Sequence, residues 1–161
     1  MQDLKKRILF VCLGNICRSP AAELICRNLA AAAGVDCVVD SCGTANYHIG
    51  SMPDARMRRA LAEAGYEYDG HRGRQFTRAD FERFDLIIPQ DESNKEDILY
   101  LSKSPEQAQK VRAMREFFAP EDAARYREVP DPYYGGQEGF NEVVRLLSSS
   151  CERLLQKMLD S

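Results

Sequence analysis

The sequence predicts a three-layer α/β fold, a central four-stranded parallel twisted sheet with helices on both faces. Three observations predict it. Short apolar runs rich in β-branched residues, clearest at 7–12 and 85–89, have the look of strands buried on both faces. Segments of helical periodicity separate them, several opening on a cap residue. The last segment is the most regular: Phe140, Val143, Val144, Leu147, Cys151, Leu154, Leu155 and Met158 follow the 3, 4, 7 spacing of one buried helical face.

Taken in order, Arg7 to Cys12 reads as the first strand. Leu13 to Arg18 is a loop containing Gly14 and Asn15, the residue types that best tolerate a positive φ. Ser19 and Pro20 read as N-cap and first helical position, and the Ala-rich helix that follows stops at Gly34. Val35 to Ser41 is the second strand. Ser51 to Asp54 opens a helix ending near Gly65, and Thr77 to Asp80 opens a shorter one. Asp85 to Pro89 is the third strand, Ser93 to Glu96 a further capping box, and Lys110 to Met114 the fourth strand. No repeat, linker or low-complexity stretch interrupts this pattern, so residues 1–161 are expected to form a single domain.

Composition excludes several classes. With 44% hydrophobic and 29% charged residues the chain has an ordinary globular mix. A net charge of −3 favours neither nucleic acid nor an anionic membrane as partner. No stretch approaches the roughly 20 apolar residues of a membrane span. The N-terminal residues lack an apolar core followed by a small-residue cleavage site, so a cytoplasmic location with reduced thiols is expected for the six cysteines. Cys12/Cys17 and Cys37/Cys42 share a C-x4-C spacing, loose for structural zinc, and no metal is expected.

The chemistry concentrates at Cys12-Leu13-Gly14-Asn15-Ile16-Cys17-Arg18-Ser19. A Cys-x5-Arg spacing arises by chance in a chain this rich in both residues, and a buried cysteine beside a surface arginine would explain it. The context is more specific. A loop between a strand end and a helix start can turn successive N–H groups inward as an anion-binding nest. That nest and the helix dipole stabilise a thiolate at Cys12. Arg18 has the planar fork that grips a phosphate bidentately, and Ser19 can donate to the sulfur. The loop lacks the Gly-Lys-Ser/Thr of nucleotide-binding phosphate loops.

Val11 to Pro20 resembles the signature loop of low-molecular-weight protein tyrosine phosphatases. The likeness continues, in order and at matching spacings, through Asp40-Ser41, Pro53-Asp54, His71, Arg74, Asp91 to Asn94 and Asp131-Pro132-Tyr133-Tyr134. The resemblance implies hydrolysis of phosphotyrosine and small aryl phosphates through a phosphocysteine intermediate, without metal or cofactor. It implies Cys12 as nucleophile, Arg18 as phosphate clamp, and Asp131 as general acid and then base. By itself an Asp before Pro is more often a turn residue. The family pattern further implies a bracing network of Asn15, Ser19, Ser41 and His71. It implies a substrate pocket walled by Leu13, Ile16, Tyr47, Tyr133 and Tyr134, and a redox pair of Cys12 with Cys17. Expected partners are phosphotyrosine proteins, with inorganic phosphate as a competitive oxyanion and the protein a monomer.

Three other functions share parts of this pattern. Phosphoarginine phosphatases of the same fold resemble the chain but carry Thr where Ile16 stands. Thiol-dependent arsenate reductases need further relay cysteines, and none lies between Cys42 and Cys151. A silent phosphate-binding module would not need Cys12, Arg18 and Asp131 together. Three positions, at two places in the chain, depart from the family. Cys42 replaces a smaller residue, and Pro89-Gln90 replaces an apolar or sulfur-containing pair; both are expected to lie beside the site, where they could tune substrate choice.

Overall fold

A computed structural model describes residues 6–160. The central strand is β1 (Lys6–Cys12), flanked in parallel by β2 (Cys37–Gly43) and β3 (Leu86–Pro89), in the order β2-β1-β3. Side chains alternate across a strand, and β1 divides its apolar residues accordingly. Ile8 and Phe10 enter a core built with α1 (Arg18–Ala33), α2 (Ala55–Glu63) and α7 (Gln137–Asp160). Leu9 and Val11 enter a second core on the opposite face. There they meet Phe76, Phe81 of α3 (Asp80–Arg83) and Ile98 of α4 (Glu92–Leu101). The layers are therefore helix, sheet, helix. The run of α7 is as its spacing requires: Phe140, Val143, Leu147, Cys151 and Leu154 are all buried.

Among the described residues the sheet has three strands rather than four. Lys110 to Met114 makes a single parallel bridge, Val111 to Ile87, through Ile87 N–H to the Lys110 carbonyl and Arg112 N–H to the Ile87 carbonyl. The extension is cut at both ends. The Lys110 and Val111 amides still bond back into α5 (Pro105–Gln109), and a 3-10 turn (Met114–Phe117) begins just after, its start fixed by Ala113 N–H on the Glu116 carboxylate. A short α6 (Pro120–Arg125) follows.

Several caps also differ from expectation. Asp54, not Ser51, caps α2 by accepting from Arg56 N–H at 2.8 Å. Asp91 with Asn94, not Ser93 with Glu96, forms the capping box of α4. Cys17 precedes α1 with no side-chain cap, because the Ser19 hydroxyl is engaged by the loop instead. Gly34, at φ 70°, ends α1 as expected, while β2 starts two residues later than Val35.

At the end of β2, Gly43 passes under the loop that follows β1. A Cβ there would lie 2.6 Å from the Leu13 carbonyl oxygen and 3.1 Å from Asn15 N. Gly43→Ala is thus expected to destabilise by about 1–3 kcal/mol, because backbone rather than a flexible side chain must move. Urea unfolding checks this: the midpoint should fall with the slope unchanged.

Candidate active site

Cys12 ends β1 at the carboxyl edge of the sheet, the edge at which α/β folds bind ligands. The carbonyls of Cys12, Leu13 and Ile16 are drawn outward to the amides of Thr44 (2.9 Å), Ala45 (3.0 Å) and Asp54 (2.7 Å). Among the described residues the amides of 13–17 donate to no backbone carbonyl, so the loop keeps a set of free N–H groups. Asn15 adopts the left-handed conformation at φ 57° and is buried. The Cys12 sulfur lies 2.9 Å from Ser19 Oγ, and that hydroxyl also accepts from Asn15 Nδ2 at 2.8 Å.

Behind the loop the polar groups form a chain. Asn15 Nδ2 also donates to Ser41 Oγ (3.0 Å), and Asn15 Oδ1 accepts from Arg74 N–H (3.1 Å) and lies 2.8 Å from His71 Nε2. Ser41 Oγ donates to Glu23 Oε1 at 2.7 Å, and His71 Nδ1 sits 3.0 Å from the same oxygen. Glu23 is buried. Burial pushes its carboxyl up, but His71, Ser41 and Arg27 outweigh that and hold it below the usual glutamate range. Glu23, Asp40 and His71 bring three ligand atoms within 4.8 Å of one another. Arg27 on Glu23 and Arg74 on Asp40 already supply the positive charge a cation would bring, so a hydrogen-bond cluster explains the grouping.

Arg18 opens α1 and is buried. Its Nη1 donates to Asp91 Oδ2 (2.7 Å) and the Val129 carbonyl (3.1 Å), while Nη2 lies 3.8 Å from Asp131 Oδ2. Burial alone would discourage its charge; Cys12, Asp91 and Asp131 more than compensate, and Arg18 stays above the ordinary arginine value. The Asp131 side chain is 45% exposed, and its Oδ1 accepts from Tyr133 N–H at 3.1 Å.

These groups meet in one cleft of about 260 Å³. Cys12, Arg18 and Asp131 line it together with Leu13, Gly14, Ile16 and Cys17 of the loop and Tyr47, Tyr133 and Tyr134 of the walls. Cys12 is almost wholly buried at 3% exposure, whereas Tyr47 (71%) and Tyr134 (94%) stand at the mouth. A cleft with aromatic walls, a sulfur and a guanidinium at depth and a half-exposed carboxylate beside them suits a flat ring bearing an anionic group. Asn15, Ser19, Ser41 and His71 do not line the cleft; they are joined to one another behind the loop.

Three further residues belong to the site. His48 lines the cleft beside Gly14, marked in the sequence only by its place next to Tyr47. Glu23 anchors the network, and its signal was a lone acid within an apolar stretch of α1. Asp91 fixes Arg18 across a separation no spacing rule addresses. By contrast Cys42, Pro89 and Gln90 are absent from the cleft lining. Cys42 is buried in the second core, and Gln90, at 1% exposure, lies behind the loop, where its amide donates to the Val11 carbonyl. Neither departure lines the cleft.

The fold and this cleft define a class: an α/β protein with a cysteine-bearing anion loop at the carboxyl end of its first strand. The family model for low molecular weight phosphotyrosine protein phosphatases matches residues 7–161. A low molecular weight protein-tyrosine-phosphatase of Streptomyces coelicolor is 40% identical over 151 residues, 92% of this chain and 91% of that one. A crystal structure of protein tyrosine phosphatase from Entamoeba histolytica, with Hepes in its active site, superposes with a TM-score of 0.90 at 37% identity, covering 97% of this chain and 98% of that one. A Drosophila arginine phosphatase superposes at 0.84 with 33% identity, covering 94% and 96%. The chain belongs to the low molecular weight phosphotyrosine protein phosphatase family.

The lowered Glu23 carboxyl makes stability pH-dependent. A group whose folded value is depressed stabilises fully above its unfolded value, near 4.5, and loses that contribution as pH falls through the folded value. The stability gap between the parent and Glu23→Gln should therefore be largest above about pH 5 and close on acidification. Denaturant midpoints measured from pH 7 to 3 check this; a constant gap would contradict it.

Proposed function

We propose that this chain is a metal-independent protein tyrosine phosphatase acting through a phosphocysteine. The observation that carries this reading is the placement of the Cys12 sulfur at the base of the cleft, under free loop amides, with Arg18 and Asp131 on the same wall. In the first step Cys12 thiolate attacks phosphorus and the bond from phosphorus to the aryl oxygen breaks. Loop amides and Arg18 hold the equatorial oxygens, while Asp131 gives its proton to the departing phenolate. In the second step Asp131, now a carboxylate, takes a proton from water as that water attacks phosphorus. The sulfur–phosphorus bond breaks, inorganic phosphate leaves, and the Ser19 hydroxyl 2.9 Å away receives the returning thiolate.

Depth supports phosphotyrosine over phosphoserine, since a short side chain would not carry its phosphate past the Tyr47 and Tyr134 rim to a sulfur that is almost wholly buried. The likeness to an arginine phosphatase favours a second substrate. Ile16 on the cleft wall weighs against it, because its bulk suits a phenyl ring better than a guanidinium. Inorganic phosphate is the expected competitive inhibitor. We further read residues 1–161 as one domain, monomeric and cytoplasmic, with no nucleic acid or membrane partner; among the described residues no helix is long and apolar enough to cross a membrane.

Two variants test the chemistry. Cys12→Ser should leave less than about 1% of aryl phosphatase activity while retaining the fold. Asp131→Asn should lower kcat/KM strongly for phosphotyrosine peptides and little for aryl phosphates with acidic phenols. Matched phosphotyrosine, phosphoserine and phosphoarginine peptides should be cleaved in descending preference, the first far ahead; parity of the first two would refute the reading.

Redox control belongs to the same proposal. Peroxide converts Cys12 thiolate to sulfenic acid, and the Cys17 thiol condenses with it, forming the disulfide and releasing water. Burial first, then Asp54 and Cys12, push the Cys17 thiol well up, so in the resting enzyme it does not compete with Cys12 as nucleophile. Cys17→Ser should keep activity but recover poorly with dithiol after peroxide. Peptide mass spectrometry of the mildly oxidised parent should find Cys12 joined to Cys17, and its absence would overturn the pairing.

A further inference from the structure

Asp131 sits on a loop that is anchored at the buried Pro132 and the half-buried Tyr133 and is otherwise open to solvent. Residues 131 and 134–136 are exposed, and within the loop Tyr133 N–H bonds to Asp131 Oδ1 (3.1 Å) and Gly135 N–H to the Pro132 carbonyl (3.0 Å). The phosphate loop, in contrast, buries Cys12, Asn15, Cys17 and Arg18 and is held through the carbonyls of Leu13 and Ile16. Catalysis by Asp131 requires its carboxyl to stay within hydrogen-bond reach of a leaving oxygen whose position the phosphate loop sets. Some element must carry that register from one loop to the other.

Arg56, the second residue of α2, spans the gap. Its guanidinium lies over the Tyr133 ring, 5.3 Å from the centroid, and over the buried Phe140 ring at 4.5 Å. Its Nη1 reaches the Gly135 carbonyl at 3.4 Å. The other edge of the fork is paired bidentately with Asp54, Nε to Oδ1 at 3.1 Å and Nη2 to Oδ2 at 3.0 Å. Asp54 is in turn fixed to the phosphate loop, its amide donating to the Ile16 carbonyl at 2.7 Å. The backbone of Arg56 is held as well, with its carbonyl accepting from Gln137 Nε2 at 2.9 Å where α7 begins. A continuous path thus runs from Ile16 through Asp54 and Arg56 to Tyr133 and Gly135.

We propose that Arg56 is a positioning residue for the acid loop, a strut that sets the distance between Asp131 and the phosphate loop. Arg56 is absent from the cleft lining and touches no reacting atom. The proposal rests on Asp131 as general acid. The planar fork of Arg56 is what the arrangement uses: one edge pairs with a carboxylate while the guanidinium also lies over two rings, which an ammonium cannot reproduce.

Kinetics with a leaving-group series test it. Arg56→Ala should lower kcat/KM about tenfold for substrates with basic phenols such as phosphotyrosine, since a displacement of about 1 Å at a catalytic group costs one to two orders of magnitude. The loss should be under about threefold for aryl phosphates with acidic phenols, and inhibition by inorganic phosphate should change by less than about twofold. Combined with Asp131→Asn, Arg56→Ala should add almost nothing, because it acts through that carboxylate. Arg56→Lys, which keeps α2 covered and retains the cation, is run through the same series in case the alanine variant fails to fold, and should show the same leaving-group dependence in weaker form. A uniform loss across the series, weakened phosphate inhibition, or full additivity with Asp131→Asn would overturn the strut. If Asp131→Asn alone loses equally across the series, the acid assignment falls, and the strut with it; that arm does not involve Arg56, so the two failures are distinct.

Discussion

The site depends on one residue held in an unfavourable conformation. At φ 57° Asn15 turns the loop so that its amides face inward, a geometry that costs a non-glycine residue about 1–3 kcal/mol. Glycine would adopt it freely but would bring no side chain. Asn15 uses both ends of its amide: Nδ2 donates to Ser19 and Ser41, and Oδ1 faces His71 Nε2 and accepts from Arg74 N–H. Buried hydrogen bonds contribute about 0.5–1.5 kcal/mol each, so the set offsets the strain and fixes the curl without any ligand. A cradle formed in advance does not have to be ordered when the anion arrives.

The sheet and first helix make that possible. β1 is buried on both faces, which leaves its carboxyl end as the one place where Cys12 can meet the cleft. Helical spacing then does the rest. Ser19, Glu23 and Arg27 recur every four residues along one face of α1. They carry polarity back from the loop: Ser19 to Asn15, Glu23 to Ser41 and His71, Arg27 to Glu23, Asp69 and the Val39 carbonyl. Arg74 closes the outer end through Asp40 and the fully buried Asp80, which also fixes Thr77 N–H at the start of α3. The polar stripe that looks out of place in an apolar helix is therefore the support of the loop.

What could be read in the sequence follows the range of the interactions involved. β1, the loop after it and the buried face of α7 are specified by neighbours a few residues apart, and they appear where their patterns put them. Lys110 to Met114 has strand-like composition, but whether it pairs for one residue or five is decided by where α5 and the 3-10 turn pull the chain. Ser19 looks like a helix cap because Ser-Pro usually is one; its hydroxyl is taken by Cys12 and Asn15, a tertiary demand that outweighs the local preference. Pro89 and Gln90 stand next to Asp91 in the chain, yet β3 turns them away from the cleft, so sequence proximity to a site residue did not translate into contact.

The two arginine contacts show how one cation serves opposed needs. Under the proposed mechanism Asp131 must be an acid in the first step and a base in the second, so it cannot be held permanently as a carboxylate. Arg18 is the cation beside it. Asp91 takes one arm of the guanidinium at 2.7 Å, the Val129 carbonyl shares it at 3.1 Å, and Asp131 is left at 3.8 Å from the other. Partial exposure completes the arrangement, since water must reach the carboxylate for the second step. Asp91 and the Val129 carbonyl together hold one arm of Arg18 in place, and the other arm is left beside Asp131 in the cleft that both residues line.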